Sequence, residues 1–215
     1  MKKILLFALP LLAMIAVSCE KGNGAEPELS GDDIIEFKDP NFLKALLTVQ
    51  ELEVYDEETG NYISYTIVAD ADNDGKISVN EAKRVKAIVL EDERGKSLNV
   101  KEMPEIKYFT AVTVLYCREN QLTALDLSKN TALTMFVCGP SQLTSLDLSK
   151  NTALTVLGCP GNALTVLDLS KNTALRTLYC SENYLKKVIL PANHSVESEC
   201  IESIIEEYGN IIEYR

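Results

Sequence analysis

Apolar residues in the middle of this chain recur on two nested rhythms. Leu143-x-x-Leu146-x-Leu148-x-x-Asn151 is followed by Leu154-x-x-Leu157-x-Cys159-x-x-Asn162. In each segment the fourth and sixth positions point inward and the third and fifth outward, because side chains alternate along an extended strand. The pair of segments then recurs as a unit, and Cys117, Cys138, Cys159 and Cys180 fall at intervals of 21. Self-similarity at a short fixed period predicts stacked coils. Leu146 is expected under Leu167 and Cys138 under Cys159, roughly 5 Å apart in the strand-pairing direction. The expected fold class is a mainly β solenoid with two short parallel strands per 21-residue coil, capped by an α-containing N-terminal block and a C-terminal helix.

The repeated cysteines fit a dry core. A narrow solenoid needs a small apolar side chain where its walls approach, and free cysteine behaves as such a filler. A disulfide ladder is disfavoured because the four side chains point the same way along one wall, and a metal site because they do not converge. Asn130, Asn151, Asn172, Asn162 and Asn183 sit where the chain turns. There their amides are expected to pair with backbone groups that a tight corner would leave unsatisfied.

The flanks read as caps, which a solenoid needs because its end coils expose core. Pro40 to Val49 predicts an apolar-rich helix opened by Asp39 and Pro40, and Val100 to Phe109 a short helix with Pro104 near its first turn. Val85-x-x-Ile88-x-Leu90 already fits the repeat rhythm. Near the C-terminus, Val196, Cys200, Ile204 and Ile201, Ile205, Tyr208 share one helical face that stops at Gly209, with "NIIEY" closing the cap.

Residues Met1 to Ser18 have the form of an export signal: Lys2 and Lys3, an apolar run from Ile4 to Val17, then small residues before Cys19. "AVSC" resembles the lipobox of bacterial lipoproteins, with Ala16 where such sites most often have Leu. The resemblance implies cleavage before Cys19 and acylation of it; the alternative is an ordinary secretory signal cut near Ser18. The following stretch is Gly-, Pro- and acid-rich and reads as a flexible tether. The expected organisation is a signal over 1–18, a tether over 19–32, an N-terminal cap over 33–109, repeats over 110–193 and a C-terminal cap over 194–215. The lipid would anchor an exported protein to the bacterial cell envelope, at the outer membrane. A net charge of −11 argues against nucleic acid and against an anionic membrane surface as partners, leaving the anchor as the membrane contact.

One stretch carries metal chemistry: "DADNDGKISVNE", Asp70 to Glu81. Asp70, Asp72 and Asp74 stand at loop positions one, three and five, Gly75 supplies the turn at six, and Lys76 offers its carbonyl at seven. Ser78 sits at nine and Glu81 at twelve, placed to bind through both carboxylate oxygens. The loop resembles those of the EF-hand and dockerin families, which implies one bound Ca²⁺ and Ile77 packed inward. "NYISYTIVA" upstream is strand-like, with Glu58-Thr59-Gly60-Asn61 as a hairpin turn, where an EF-hand has its entering helix. The expected role is therefore a structural clip rather than a sensor.

The units themselves resemble leucine-rich repeats of the nested bacterial class that alternates LxxLxCxxN with LxxLDL. Leu122 to Tyr184 match closely, Val112 to Gln121 give the preceding half-unit and "LKKVILPAN" (Leu185 to Asn193) trails. Ser141 replaces the expected Asn after Pro140, so an irregular corner is expected there. From about Ile35 onward the chain also resembles exported Bacteroides-type lipoproteins that join such repeats to a calcium-loop segment. The resemblance implies a non-catalytic scaffold for a protein or peptide partner.

Function is then sought on the outward positions. Asp126, Asp147 and Asp168 form an acidic ladder, partly offset by Lys129, Lys150 and Lys171. On the cysteine wall Val114, Tyr116, Met135, Val137, Val156, Thr177 and Tyr179 form an apolar and aromatic stripe. It is expected to contact a partner or a second copy, or else to be covered by the N-terminal block. A glycan-binding surface is the alternative reading, and a glycoside hydrolase a weak third. His194 is the one histidine, and no Ser/His/Asp or Cys/His arrangement can be built without it.

Overall fold

The 21-residue units stack in register. The computed structural model describes residues 29–48, 50–56, 61–92 and 96–215. The signal segment, Cys19 and most of the tether lie outside the described residues, as does Glu58-Thr59-Gly60 of the hairpin turn. The chain begins with α1 (Pro40–Leu47), an antiparallel hairpin of β1 (Gln50–Asp56) and β2 (Asn61–Ile67), α2 (Val79–Ala82) and β3 (Ala87–Val89). A 3-10 helix (Pro104–Tyr108) leads into β4 (Val114–Tyr116), β5 (Met135–Val137), β6 (Val156–Gly158), β7 (Val166–Asp168), β8 (Thr177–Tyr179) and β9 (Lys187–Leu190). The chain closes with α3 (Ser198–Tyr208) and β10 (Ile212–Tyr214).

Parallel strands in the order β3-β4-β5-β6-β8 build the cysteine wall. Leu115, Phe136, Leu157 and Leu178 lie side by side, one per coil. The ladder extends to the cysteines: Cys117, Cys138 and Cys159 donate their amides to Val137, Gly158 and Tyr179 at 2.8, 2.7 and 2.7 Å. All four repeat cysteines are buried, and so is Cys200 on α3; every one is a free thiol.

The opposite wall departs from the expected second strand in every coil. Among the described residues it is a ladder only from Val166 onward, as β7-β9-β10. Residue preference gives the reason. The earlier coils place Ala124 and Ser145 where β7 places Val166, and β9 reads Lys-Val-Ile-Leu, so only the later coils carry the β-branched residues that favour strands.

Asparagine side chains join the coils at both corners. Asn151 donates through Nδ2 to Leu127 O (3.1 Å) and Asn130 O (2.9 Å), and Asn172 repeats this one coil later with Leu148 O and Asn151 O. Asn130 opens the file on the carbonyls of Ile106 and Phe109 in the N-terminal cap. At the other corner Asn162 and Asn183 each donate into the preceding coil and accept from Leu143 N and Leu164 N. The corner at Ser141 is irregular as expected. Gly139–Pro140 is cis, and Ser141 Oγ takes the asparagine's place by donating to Asn120 O at 3.0 Å. Gly139 is required there, since a Cβ would lie 1.9 Å from Pro160 O.

Both ends are closed. Asp39 caps α1 by accepting from Asn41 N at 2.8 Å, and its other oxygen accepts from Lys101 N at 2.6 Å, tying the helix to the first coil. Phe42 of α1 is buried against Phe37 and Phe109. At the other end α3 lies against β8: Glu197 N donates to Arg176 O at 2.8 Å, and Cys200 Sγ accepts from Leu178 N at 3.5 Å. Cys200 and Ile204 face inward, but Ile205, expected on the same face, is exposed. The helix stops at Gly209, whose φ of 78° is a left-handed conformation.

Replacing Asn151 with Ala removes the second donor to the carbonyls of Leu127 and Asn130, which keep only the turn amides of Asn130 and Leu133. At roughly 0.5–1.5 kcal/mol for each hydrogen bond lost, the variant is expected to lose about 1–3 kcal/mol in urea denaturation. An unchanged unfolding midpoint would show that these bonds do not hold the coils together.

Candidate functional site

The acidic loop follows β2 and feeds α2, which leads directly into β3, the first strand of the solenoid. Its carboxylates converge: one oxygen each from Asp70, Asp72 and Asp74 lies within 4.8 Å of the others. Loop amides hold them there. Gly75 N donates to Asp70 Oδ2 at 2.9 Å, Asp74 N to Asp70 Oδ1 at 3.1 Å, and Lys76 N to Asp74 Oδ1 at 2.8 Å. Asn73 and Gly75 take positive φ to make the turn. Three such charges this close repel unless something offsets them.

Ile77 is fully buried, as expected, and the strand-like segment upstream is β2. The loop is also sewn to the N-terminal segment. Ile35 N donates to Ile77 O at 2.8 Å, Val79 N to Asp33 O at 3.0 Å and Asn80 N to Gly31 O at 2.8 Å.

Glu81 has a role the motif did not reveal. Its Oε1 accepts from Ala71 N at 2.7 Å, and its Oε2 accepts from Ser78 N and Ser78 Oγ, both at 2.9 Å. Ser78 Oγ in turn accepts from Glu81 N, completing a capping box on α2. Glu81 is thus turned to the loop's amides and lies outside the converging set of three aspartates. Partial burial pushes its pKa up, but the amides of Ser78, Ala71 and Asp72 and the Ser78 hydroxyl outweigh this and hold the carboxyl below its ordinary value of 4.5.

The stripe expected on the cysteine wall is only partly a surface. Tyr179 is 59% exposed, while Tyr116, Met135, Val137 and Val156 are half-buried. Val114 and Thr177 are buried, at 3% and 6% exposure, and are corrected as surface residues. Val114 is closed in between its in-register neighbours Ala87 and Met135, and Thr177 lies beside the N-terminal end of α3. Alternation along a strand gives a side chain's direction but not what lies across it.

The Leu-Asp-Leu wall holds its acids in a repeated geometry. Asp126, Asp147 and Asp168 accept from the amides of Ser128, Ser149 and Ser170 at 2.9, 2.9 and 3.0 Å. Those amides, then the serine hydroxyls, lower all three pKa values. The thiols behave oppositely. Burial pushes Cys159 well above its ordinary value and Cys180 up to about 12, while Cys138 is raised first by its hydrogen bond with Cys117 and then by burial. His194 stacks on Tyr214 with ring centroids 5.3 Å apart. The residue that sequence reading missed at the corners is Asn120, whose Oδ1 accepts from Val100 N and whose Nδ2 donates to Leu90 O. It stands 21 residues before Ser141, so the period itself was the signal.

No protein-family model matches this chain, and no curated protein does. Solved structures do. An internalin from Listeria monocytogenes, InlF, aligns over 74% of this chain at 18% identity with a TM-score of 0.50. The fold is that of a leucine-rich repeat. The functional domain of InlJ from the same organism, described as including a cysteine ladder, aligns over 56% of this chain at 31% identity with a TM-score of 0.47. The leucine-rich-repeat ectodomain of the receptor kinase SOBIR1 from Arabidopsis thaliana covers 77% of each chain at 15% identity, TM-score 0.41. This chain spans 50% of the InlF structure and 28% of that of InlJ.

Glu81 links pH to stability with a definite sign. Because its folded pKa lies below the unfolded value, its contribution is present above about pH 4.5 and is lost as pH falls through the folded value. Glu81→Gln is therefore expected to be less stable than the parent at pH 7 and to approach it at pH 3. Urea denaturation at the two pH values checks this; a gap that stays constant or widens in acid contradicts it.

Proposed function

We propose that this protein is a non-catalytic binding scaffold, exported and lipid-anchored through Cys19 to the bacterial cell envelope. It takes a protein or peptide partner on its solenoid walls and carries one structural Ca²⁺ in the 70–81 loop. The observation that carries the scaffold reading is the division of labour within each coil. The inward positions are filled by core, and the outward ones are held in 21-residue register by the ladder and by buried asparagines. A rigid, periodic outer surface is what such repeats offer a partner.

Several features weigh against chemistry. The repeat thiols are buried and their pKa values raised, which disfavours the thiolate that a nucleophile needs. The three wall aspartates are all shifted the same way, so none is set apart as a general acid for glycoside hydrolysis.

For the ion, the donor set fits a hard cation: three carboxylates that already converge, with the carbonyl of Lys76 next in the loop and Ser78 and Glu81 at its end. A bound divalent ion would offset the repulsion among the aspartates and stiffen the joint between the N-terminal segment and the first strand.

Two outcomes are expected. Calcium at about 100-fold its dissociation constant stabilises a single-site protein by roughly 2.7 kcal/mol, a rise in melting temperature of about 5–10 °C for a domain of this size, and Asp72→Asn should abolish it. An identical melt in chelator removes the ion from the account. In a bacterial host, the full-length protein with a photo-reactive residue placed at Leu125 or Tyr179 is expected to form a discrete protein adduct. Its Cys19→Ala form should move from the detergent-rich to the aqueous phase on extraction. Absence of adducts from both positions contradicts the scaffold, and an unchanged partition contradicts the anchor.

A further inference from the structure

Where the 3-10 helix meets the Leu-Asp-Leu wall, a groove of about 490 Å³ opens, within the range of ligand-sized sites at roughly 300–1,000 Å³. It lies over the part of the wall that has no strand ladder. Its apolar surface comes from Leu125, half-buried against the core, and the exposed ring of Pro104. Around it stand Glu102, Asp126 and Asp147, with Lys150 as the one basic side chain in the lining.

The acids are built for a cation. One oxygen of each aspartate is pinned by a serine amide at 2.9 Å, which fixes the carboxylate and keeps it ionised at neutral pH. Lys129 beside Asp126 and Lys150 beside Asp147 offset part of this charge, but acids outnumber the single lining lysine and the chain as a whole carries −11. Asp168, one coil further on, is different. Arg215 and Lys171 already act on it, so the open acidic ladder is confined to the two coils beneath the groove.

We propose that this groove is the docking site of the scaffold and that it takes a basic peptide segment. A Lys or Arg side chain reaches Asp126 and Asp147 while an adjacent apolar side chain packs on Leu125 and Pro104. A free polyamine would leave the apolar surface unused, and an uncharged glycan would leave the two fixed carboxylates only partly offset by Lys129 and Lys150. The inference rests on the scaffold reading and names its surface, which sits on the wall opposite the cysteine stripe.

The test uses the full mature chain and a fluorescent eight-residue peptide of alternating lysine and leucine, followed by anisotropy at physiological salt. Saturable binding is expected, weakened at least tenfold by the double change Asp126→Asn and Asp147→Asn. Ser145→Lys, at an exposed position in the groove lining, should weaken it similarly without touching a buried group. The pair Asp168→Asn and Glu206→Gln removes the same charge elsewhere and should change nothing. Replacing leucine by serine in the peptide should cost affinity, and replacing lysine by glutamate should abolish binding.

Equal losses in the groove and control variants would reduce the effect to bulk charge and overturn the proposal, as would undiminished binding of the lysine-serine peptide. Absence of saturation up to millimolar peptide overturns it too. If the groove variants leave the photo-adduct at Tyr179 intact while the peptide fails to bind, the scaffold stands and this site falls. If no adduct forms anywhere, both fall.

Discussion

The carboxamide of a buried asparagine, donating to carbonyls one coil back, is the interaction on which the structure depends. A 21-residue coil spends several residues on its corners, where carbonyls point away from any strand; at the Asn130, Asn151 and Asn172 corner each already accepts from a turn amide, and the asparagine adds a second donor from the next coil. At the other corner the carbonyls of Cys138 and Cys159 accept from asparagine side chains, and leaving them unpaired would cost more than a typical hydrogen bond returns. Asn130, Asn151 and Asn172 pair these groups at one corner and Asn120, Asn162 and Asn183 at the other, each joining its own coil to an earlier one. In-register stacking follows, and with it the thiol column, since only when the coils coincide do four cysteines share one dry wall.

The two walls then diverge for reasons visible in their residues. The cysteine wall has a ladder from β3 to β8 and ends under α3, which seals Thr177 and places Cys200 against the backbone of Leu178. The opposite wall runs without a ladder until Val166, and beside its open part the 3-10 helix adds Pro104 and Glu102 as a rim. Regular stacking makes one face a closed sheet; the interruption of regularity makes the other face a groove. On this reading the repeats supply rigidity, and the site arises where a non-repeating element meets them.

Much of this was legible in the sequence. The 21-residue interval of Cys117, Cys138, Cys159 and Cys180 gives the solenoid, and the corner asparagines, the Asp39–Pro40 helix start, the Gly209 stop and the buried Ile77 follow from local chemistry. What could not be read depends on neighbours distant in sequence. Val114 and Thr177 alternate outward as the strand pattern demands, yet Ala87, Met135 and α3 close over them. Glu81 stands at the last position of a calcium-type loop and also at the third position of a helix opened by Ser78, and the sequence does not rank the two roles. The groove involves Pro104 and Leu125, residues from a cap and a repeat, and no periodicity links them.

Amide hydrogen exchange tests the central claim most directly, because it reads the two walls separately in one molecule. If the coils are held by the cysteine-wall ladder and the corner asparagines, the amides of Cys117, Cys138, Cys159, Thr134 and Thr155, all bonded between coils, exchange slowly and as one group. Those of residues 124–126 and 145–147, on the wall without a ladder, exchange orders of magnitude faster while the protein stays folded. Equal protection of the two walls, or fast exchange at the cysteines, would contradict the account.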